Sequence, residues 1–190
     1  MFQKRIKWLD FAKGFTILLV VLCHSIVINR NLGLQNEISQ LLMALVDIVI
    51  MPCFFAISGF LNRPINYLRQ YWLLLYKKGI SLLIPYFFFS VLNVFILEHQ
   101  PGFKLYFQTL WQPLSYLWFL YSLFFIFALV GLLDLFKISV GFQFLIALFL
   151  AVFQCRLTWW QNGNFSINPL ASVFGYLAFF ELGRLFQNPK

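Results

Sequence analysis

The first apolar stretch of the chain carries three ionisable residues whose types and spacing suit chemistry: Asp10, Lys13 and His24. Lys13 and His24 are separated by eleven positions, about 20° past three full α-helical turns, so both fall on one stripe about 16 Å apart in height. Asp10 lies about one turn below Lys13, near the same stripe. A neutral imidazole can take a proton from an incoming hydroxyl, which makes His24 a candidate general base. A plainer reading has Lys13 snorkelling to the headgroups, Asp10 paired with it and His24 donating a single interhelical hydrogen bond. A second apolar stretch holds Asp47, followed by Met51-Pro52-Cys53-Phe54-Phe55-Ala56-Ile57-Ser58-Gly59-Phe60. Counted from the outer ends of two antiparallel helices, His24 is roughly 6 Å and Asp47 roughly 12 Å deep, so a slight tilt lets Asp47 orient the imidazole. An aspartate satisfied by water or by its own helix is the equal alternative. Pro52 frees a backbone carbonyl and Gly59 admits a close neighbour, which places Ser58 in a cavity wall rather than as a nucleophile.

The surroundings make these residues conspicuous. Of 190 residues, 62% are hydrophobic, 21% aromatic and only 11% charged, outside the range of a soluble domain. The net charge of +8 does not point to nucleic acid, because no basic stripe with stacking aromatics stands outside the apolar runs. Cys23, Cys53 and Cys155 have neither metal-ligand spacing nor an evident pairing, so no metal site and no disulfide framework are expected. Asp10 and Lys13 interrupt what would be the apolar core of a signal peptide, so the first stretch reads as a retained span. Each charged group near a bilayer centre costs roughly 2.5 to 3.5 kcal/mol, and a stripe of them should face a polar cavity.

The apolar runs predict an all-α polytopic membrane bundle, a single domain over 1–190. Its six spans fall near 9–28, 39–61, 79–97, 114–136, 138–157 and 169–186. Asn62-Arg63-Pro64 is a helix-start signature, and the aromatics and cations after it suit an interfacial helix near 64–76. With the N-terminus inside, eleven Lys and Arg residues fall on the cytoplasmic side: 4, 5, 7, 13, 63, 69, 77, 78, 137, 184 and 190. Three, at 30, 104 and 156, fall outside, which predicts both termini in the cytoplasm.

Trp8-Leu9-Asp10-Phe11-Ala12-Lys13-Gly14, followed by His24, resembles the opening of the acyltransferase 3 family of integral-membrane O-acyltransferases. Met51-Pro52 through Ser58-Gly59-Phe60 is similar to that family's second-helix signature, and Leu117-Trp118-Phe119-Leu120 to its later Trp-Phe-Leu signature. Pro85-Tyr86 behind Lys77-Lys78 resembles the start of its third helix, and Glu181-Leu182-Gly183-Arg184 a later segment. The resemblance implies transfer of an acyl group, usually acetyl from acetyl-CoA, to a hydroxyl of a cell-surface polysaccharide or its precursor at the plasma membrane. It implies His24 as the catalytic residue and Lys13 as its basic support. Lys77 and Lys78, with Lys13, are then the cations expected to hold the donor, and Trp118 joins Ser58 and Gly59 around the cavity. Where many members have a His before Met-Pro this chain has Ile50, and where they have an Arg four residues before the third-helix Pro it has Ser81. Members are also longer, so the chain corresponds to their N-terminal part, and a second chain supplying further helices is an expected partner beside membrane lipid and a sugar acceptor.

Two other classes stay open. In an ion-coupled transporter, Asp10, Lys13, His24 and Asp47 would form a proton path, although no paired, interrupted helices occupy symmetric positions. In an inactive fragment or partner subunit, the same residues would be remnants. His99 beside Glu98 reads as a solvated loop histidine, and Trp159-Trp160 as interfacial anchors or as a surface for stacking a sugar.

Overall fold

A computed structural model describes residues 11, 14, 15, 18, 19, 37, 41, 46–97, 117–160 and 169–187. Among the described residues every regular element is helical: α1 (Met51–Phe60), α2 (Leu68–Lys78), α3 (Ile84–Leu97), α4 (Trp118–Leu135), α5 (Val140–Trp160) and α6 (Pro169–Leu185). Two π-helical turns, Val46–Ile50 and Gly79–Leu83, lead directly into α1 and α3.

Both π turns precede a proline at the second position of the helix that follows, Met51-Pro52 and Ile84-Pro85. Proline has no N–H for the carbonyl four residues back, and its ring collides with that carbonyl in a regular helix. A π turn widens the backbone. At the second site the Ile84 N–H reaches back five residues to the Gly79 carbonyl, so the helix absorbs the proline without a break. The stretch expected as an interfacial helix and the third expected span therefore form one continuous rod, α2–α3. Lys77 and Lys78 stand within it rather than before it.

The rod runs antiparallel to α4. Tyr71 packs at Gly131, where a Cβ would lie 2.9 Å from its ring, Gly79 lies against Phe124, and the Tyr86 and Tyr121 rings are 5.7 Å apart. In contrast, α4 and α6 run the same way, since Trp118 meets Tyr176, Phe127 meets Phe180 and Asp134 meets Arg184. Helix α1 shares their direction through Phe55 on Tyr176 and Gly59 on Phe180. The short turn 136–139 reverses the chain into α5, which starts beside Asp134. Helix directions thus alternate from the rod to α4 to α5, as successive membrane crossings would. The segment 61–67, the turn 136–139 and the end of α6 lie together at one end, the foot of the bundle.

Two stretches, Leu68–Leu92 and Trp118–Leu135, are long and apolar enough to cross a membrane, and Ile48–Phe60 and Val140–Cys155 are shorter apolar helices. The core comprises Phe55, Leu123, Ile126, Phe127, Val130, Ala147, Val173, Leu177, Ala178 and Phe180, at the meeting of α1, α4, α5 and α6. Exposed Phe142, Leu145, Phe149, Val152 and Phe153 on α5 suit a hydrocarbon surround. Helices α1 and α6 approach each other at the level of the backbone. A Cβ on Gly59 would fall on the Phe180 carbonyl, and one on Gly183 on the Ala56 carbonyl, so two glycines let the helices touch, as small residues do in membranes.

Candidate functional site

The foot of the bundle is held by a buried polar cluster. Asp134, at the last turn of α4, accepts at Oδ1 from Arg184 Nη2 (2.7 Å) and Gln143 Nε2 (2.9 Å). Its Oδ2 accepts from the backbone N–H of Ile65 at 3.1 Å. Arg184 Nη1 donates to Gln143 Oε1 at 2.8 Å and to Glu181 Oε1 at 3.1 Å, one turn earlier on α6. Gln143 Nε2 also donates to the Ile138 carbonyl at 2.8 Å. Glu181 and Gln143 are fully buried, and Arg184 and Asp134 nearly so.

One guanidinium faces two carboxylates, and the amide of Gln143 and the N–H of Ile65 supply further donors to the Asp134 charge. Such a group survives burial only when its members satisfy one another. It ties the 61–67 segment, α4, α5 and α6 at a single point. The carboxylates and both Nη groups of Arg184 are committed to partners inside the cluster, which suits fixing four segments rather than attacking a substrate.

At the opposite end, aromatic rings gather. Tyr176 stacks on Phe55 with centroids 4.6 Å apart and tilts against Trp118 at 5.3 Å, while Phe54 meets Phe119 edge-on at 5.9 Å. Offset and edge-to-face pairs at these separations are favoured aromatic geometries. The stretches Met51–Phe60 and 117–120, far apart in sequence, are in direct contact through Phe54 and Phe119.

Of the residues that the sequence points to, Asp10, Lys13 and His24 lie outside the described residues, as do Cys23, Glu98 and His99. Asp47 falls in the first π turn, and its side chain is outside the description. Ser58 is half-buried on α1 beside Gly59, and Trp118 opens α4 against Tyr176. Lys77 is exposed, whereas the Lys78 ammonium lies 3.8 Å from the centre of the Phe127 ring. A cation over an aromatic face is attracted by the ring quadrupole, so the two lysines occupy different environments. Asp134 and Gln143 are not among the residues that the sequence points to, and Arg184 enters there as a cytoplasmic charge and the end of a family-like segment. The available signal was an ionisable or amide side chain inside three separate apolar runs, each close to the same expected membrane face.

A family model described as an acyltransferase domain matches residues 6–187. The chain belongs to the acyltransferase 3 family. The matched region takes in the first apolar stretch with Lys13 and His24, both π turns, the aromatic contact of Phe54 with Phe119 and the polar cluster at the foot. No match was found among curated proteins or among solved structures. As a member of the acyltransferase 3 family, the protein is a membrane-associated acyltransferase.

Proposed function

We propose that this acyltransferase moves an acyl group, acetyl in the simplest case, from acyl-CoA to a hydroxyl of a cell-surface polysaccharide or its precursor at the plasma membrane. The observation that carries the reading is the family match over residues 6–187, which takes in Lys13 and His24 at helical spacing. In this reading His24 removes the proton from the acceptor hydroxyl as oxygen attacks the thioester carbonyl, with Asp47 orienting the imidazole. The thiolate of CoA leaves, and the proton held by His24 balances it. Lys13, Lys77 and Lys78 supply positive charge along the donor's path, with the exposed Lys77 the more accessible of the adjacent pair. Six membrane crossings with both termini in the cytoplasm, and a further chain or segment completing the catalytic chamber, belong to the same proposal.

The test is acyl transfer from radiolabelled acetyl-CoA to envelope polysaccharide in membranes containing the protein. His24→Ala should lower transfer by at least about a hundredfold, the scale of losing a general base, while membrane insertion stays intact. Transfer within a few fold of the parent would remove His24 from the mechanism.

A further inference from the structure

The exposed charges at the foot are arranged around the buried cluster. Asp134 fixes two chain segments at once: its Oδ2 holds the Ile65 N–H at 3.1 Å, and its carbonyl accepts from the Lys137 N–H at 2.8 Å. Arg63 is two residues before Ile65, and both Arg63 and Lys137 are exposed. Summing the intervening bonds limits their Cα atoms to about 20 Å apart at most. Two long extended side chains with a phosphate group between them can close that gap.

Lys137 carries a second, independent mark. The Ile138 N–H reaches the Leu133 carbonyl at 3.3 Å and the Lys137 N–H the Asp134 carbonyl, which is the Schellman ending of a helix. The residue at the turn of that motif takes the left-handed conformation, and Lys137 has φ 56°. Glycine fits there without a steric cost, and a lysine does not. A strained backbone position occupied by an exposed cation invites a reason in the cation itself. The side chains of Arg63 and Lys137 make no hydrogen bond or ion pair among the described residues, and the carboxylates of the foot, Asp134 and Glu181, are buried against Arg184. Among the described residues of the foot, then, Arg63 and Lys137 are exposed cations, while both carboxylates are enclosed together with Arg184. The two cations also stand outside the stretches Leu68–Leu92 and Trp118–Leu135, where a phosphate can be met without entering hydrocarbon.

We propose that Arg63 and Lys137, spaced by Asp134, form a phosphate-binding rim at the foot of the bundle. Arg63 offers a planar fork to a phosphate and Lys137 a point charge. The phosphate belongs either to the nucleotide half of the acyl donor or to an anionic lipid headgroup. The first source rests on the acyl-transfer reading above, and the second does not.

The experiment uses the purified full chain in neutral detergent with two probes, 3′,5′-ADP and phosphatidylglycerol, the latter against phosphatidylcholine. Arg63→Gln combined with Lys137→Gln should weaken one of them about tenfold at low salt, the scale of losing two charge-assisted contacts. Weaker 3′,5′-ADP binding assigns the rim to the donor, and lost preference for phosphatidylglycerol in native mass spectra assigns it to lipid. Lys137→Gly separates binding from folding, because it relieves the turn: its melting temperature should rise while the same probe binds less well. Equal binding of both probes by parent, double variant and Lys137→Gly would overturn the rim. That result would leave the His24→Ala test of acyl transfer standing on its own.

Discussion

Arg184 and Asp134, fifty positions apart in sequence, meet at 2.7 Å with both side chains almost wholly buried. Desolvating the two charges makes the pair a poor source of net stability, yet removing one partner strands the other. Arg184→Gln should therefore destabilise the fold by about 3 to 5 kcal/mol. Asp134→Asn should cost less, because an amide oxygen can still accept from Ile65. Reversible unfolding in micelles, run as a double-mutant cycle, should give a coupling of at least about 1 kcal/mol. Additive effects would mean that the ion pair does not act as a unit.

Gly59 and Gly183 predict a steric outcome without any charge. Because each faces a carbonyl of the other helix, alanine at either position must move backbone rather than a flexible side chain. Gly59→Ala or Gly183→Ala should cost about 3 kcal/mol, the upper end of the overpacking range, read as a lowered melting temperature in detergent. Unchanged melting in both variants would contradict the close contact of α1 and α6.

The adjacent lysines should separate in their effects. Lys78→Met removes the cation from the Phe127 ring and should lower stability by about 0.5 to 2 kcal/mol. Lys77→Gln, at an exposed position, should leave stability unchanged and raise the apparent KM for acyl-CoA in a salt-dependent way. Identical behaviour of the two variants in melting and in donor titration would refute the division.

Sidedness can be read by labelling. Single cysteines introduced at 63 and 137, in a background without Cys23, Cys53 and Cys155, should react from the same face of the membrane. A cysteine at 104 should react from the other. Opposite reactivity at 63 and 137 would be incompatible with the Ile65–Asp134 contact.

The sequence discloses helices well and their partners poorly. Apolar length alone marks the runs that contain α1, α4, α5 and α6, since a membrane admits few other ways to satisfy the backbone. The continuity of α2 with α3 is concealed by Lys77-Lys78 and Pro85, which read as a boundary until the π turn at Gly79–Leu83 is seen. The polar cluster is concealed differently. Asp134 and Arg184 each look like the charge that ends a span, and nothing in local periodicity pairs one span's end with another's. The family resemblance could be read because its residues, from Trp8 to Leu120, stand in a fixed order that needs no knowledge of contacts.

The π turn in the rod also sets its tolerance to changes of length. It holds one residue more than an α-helical turn would, and that residue is taken up by a wider turn rather than by added rotation. Deleting a single residue between Gly79 and Leu83 would leave the rod helical and nearly as long. It would close the wide turn to an ordinary α-helical one and leave the face of α3, including Tyr86 and Ser90, close to its present direction relative to α2. The cost would fall on Pro85, whose ring would meet a backbone without the room to take it. Length tolerance in this segment is therefore set by the proline: the added residue is the room its ring needs, and its loss would trade a continuous membrane helix for a kinked one.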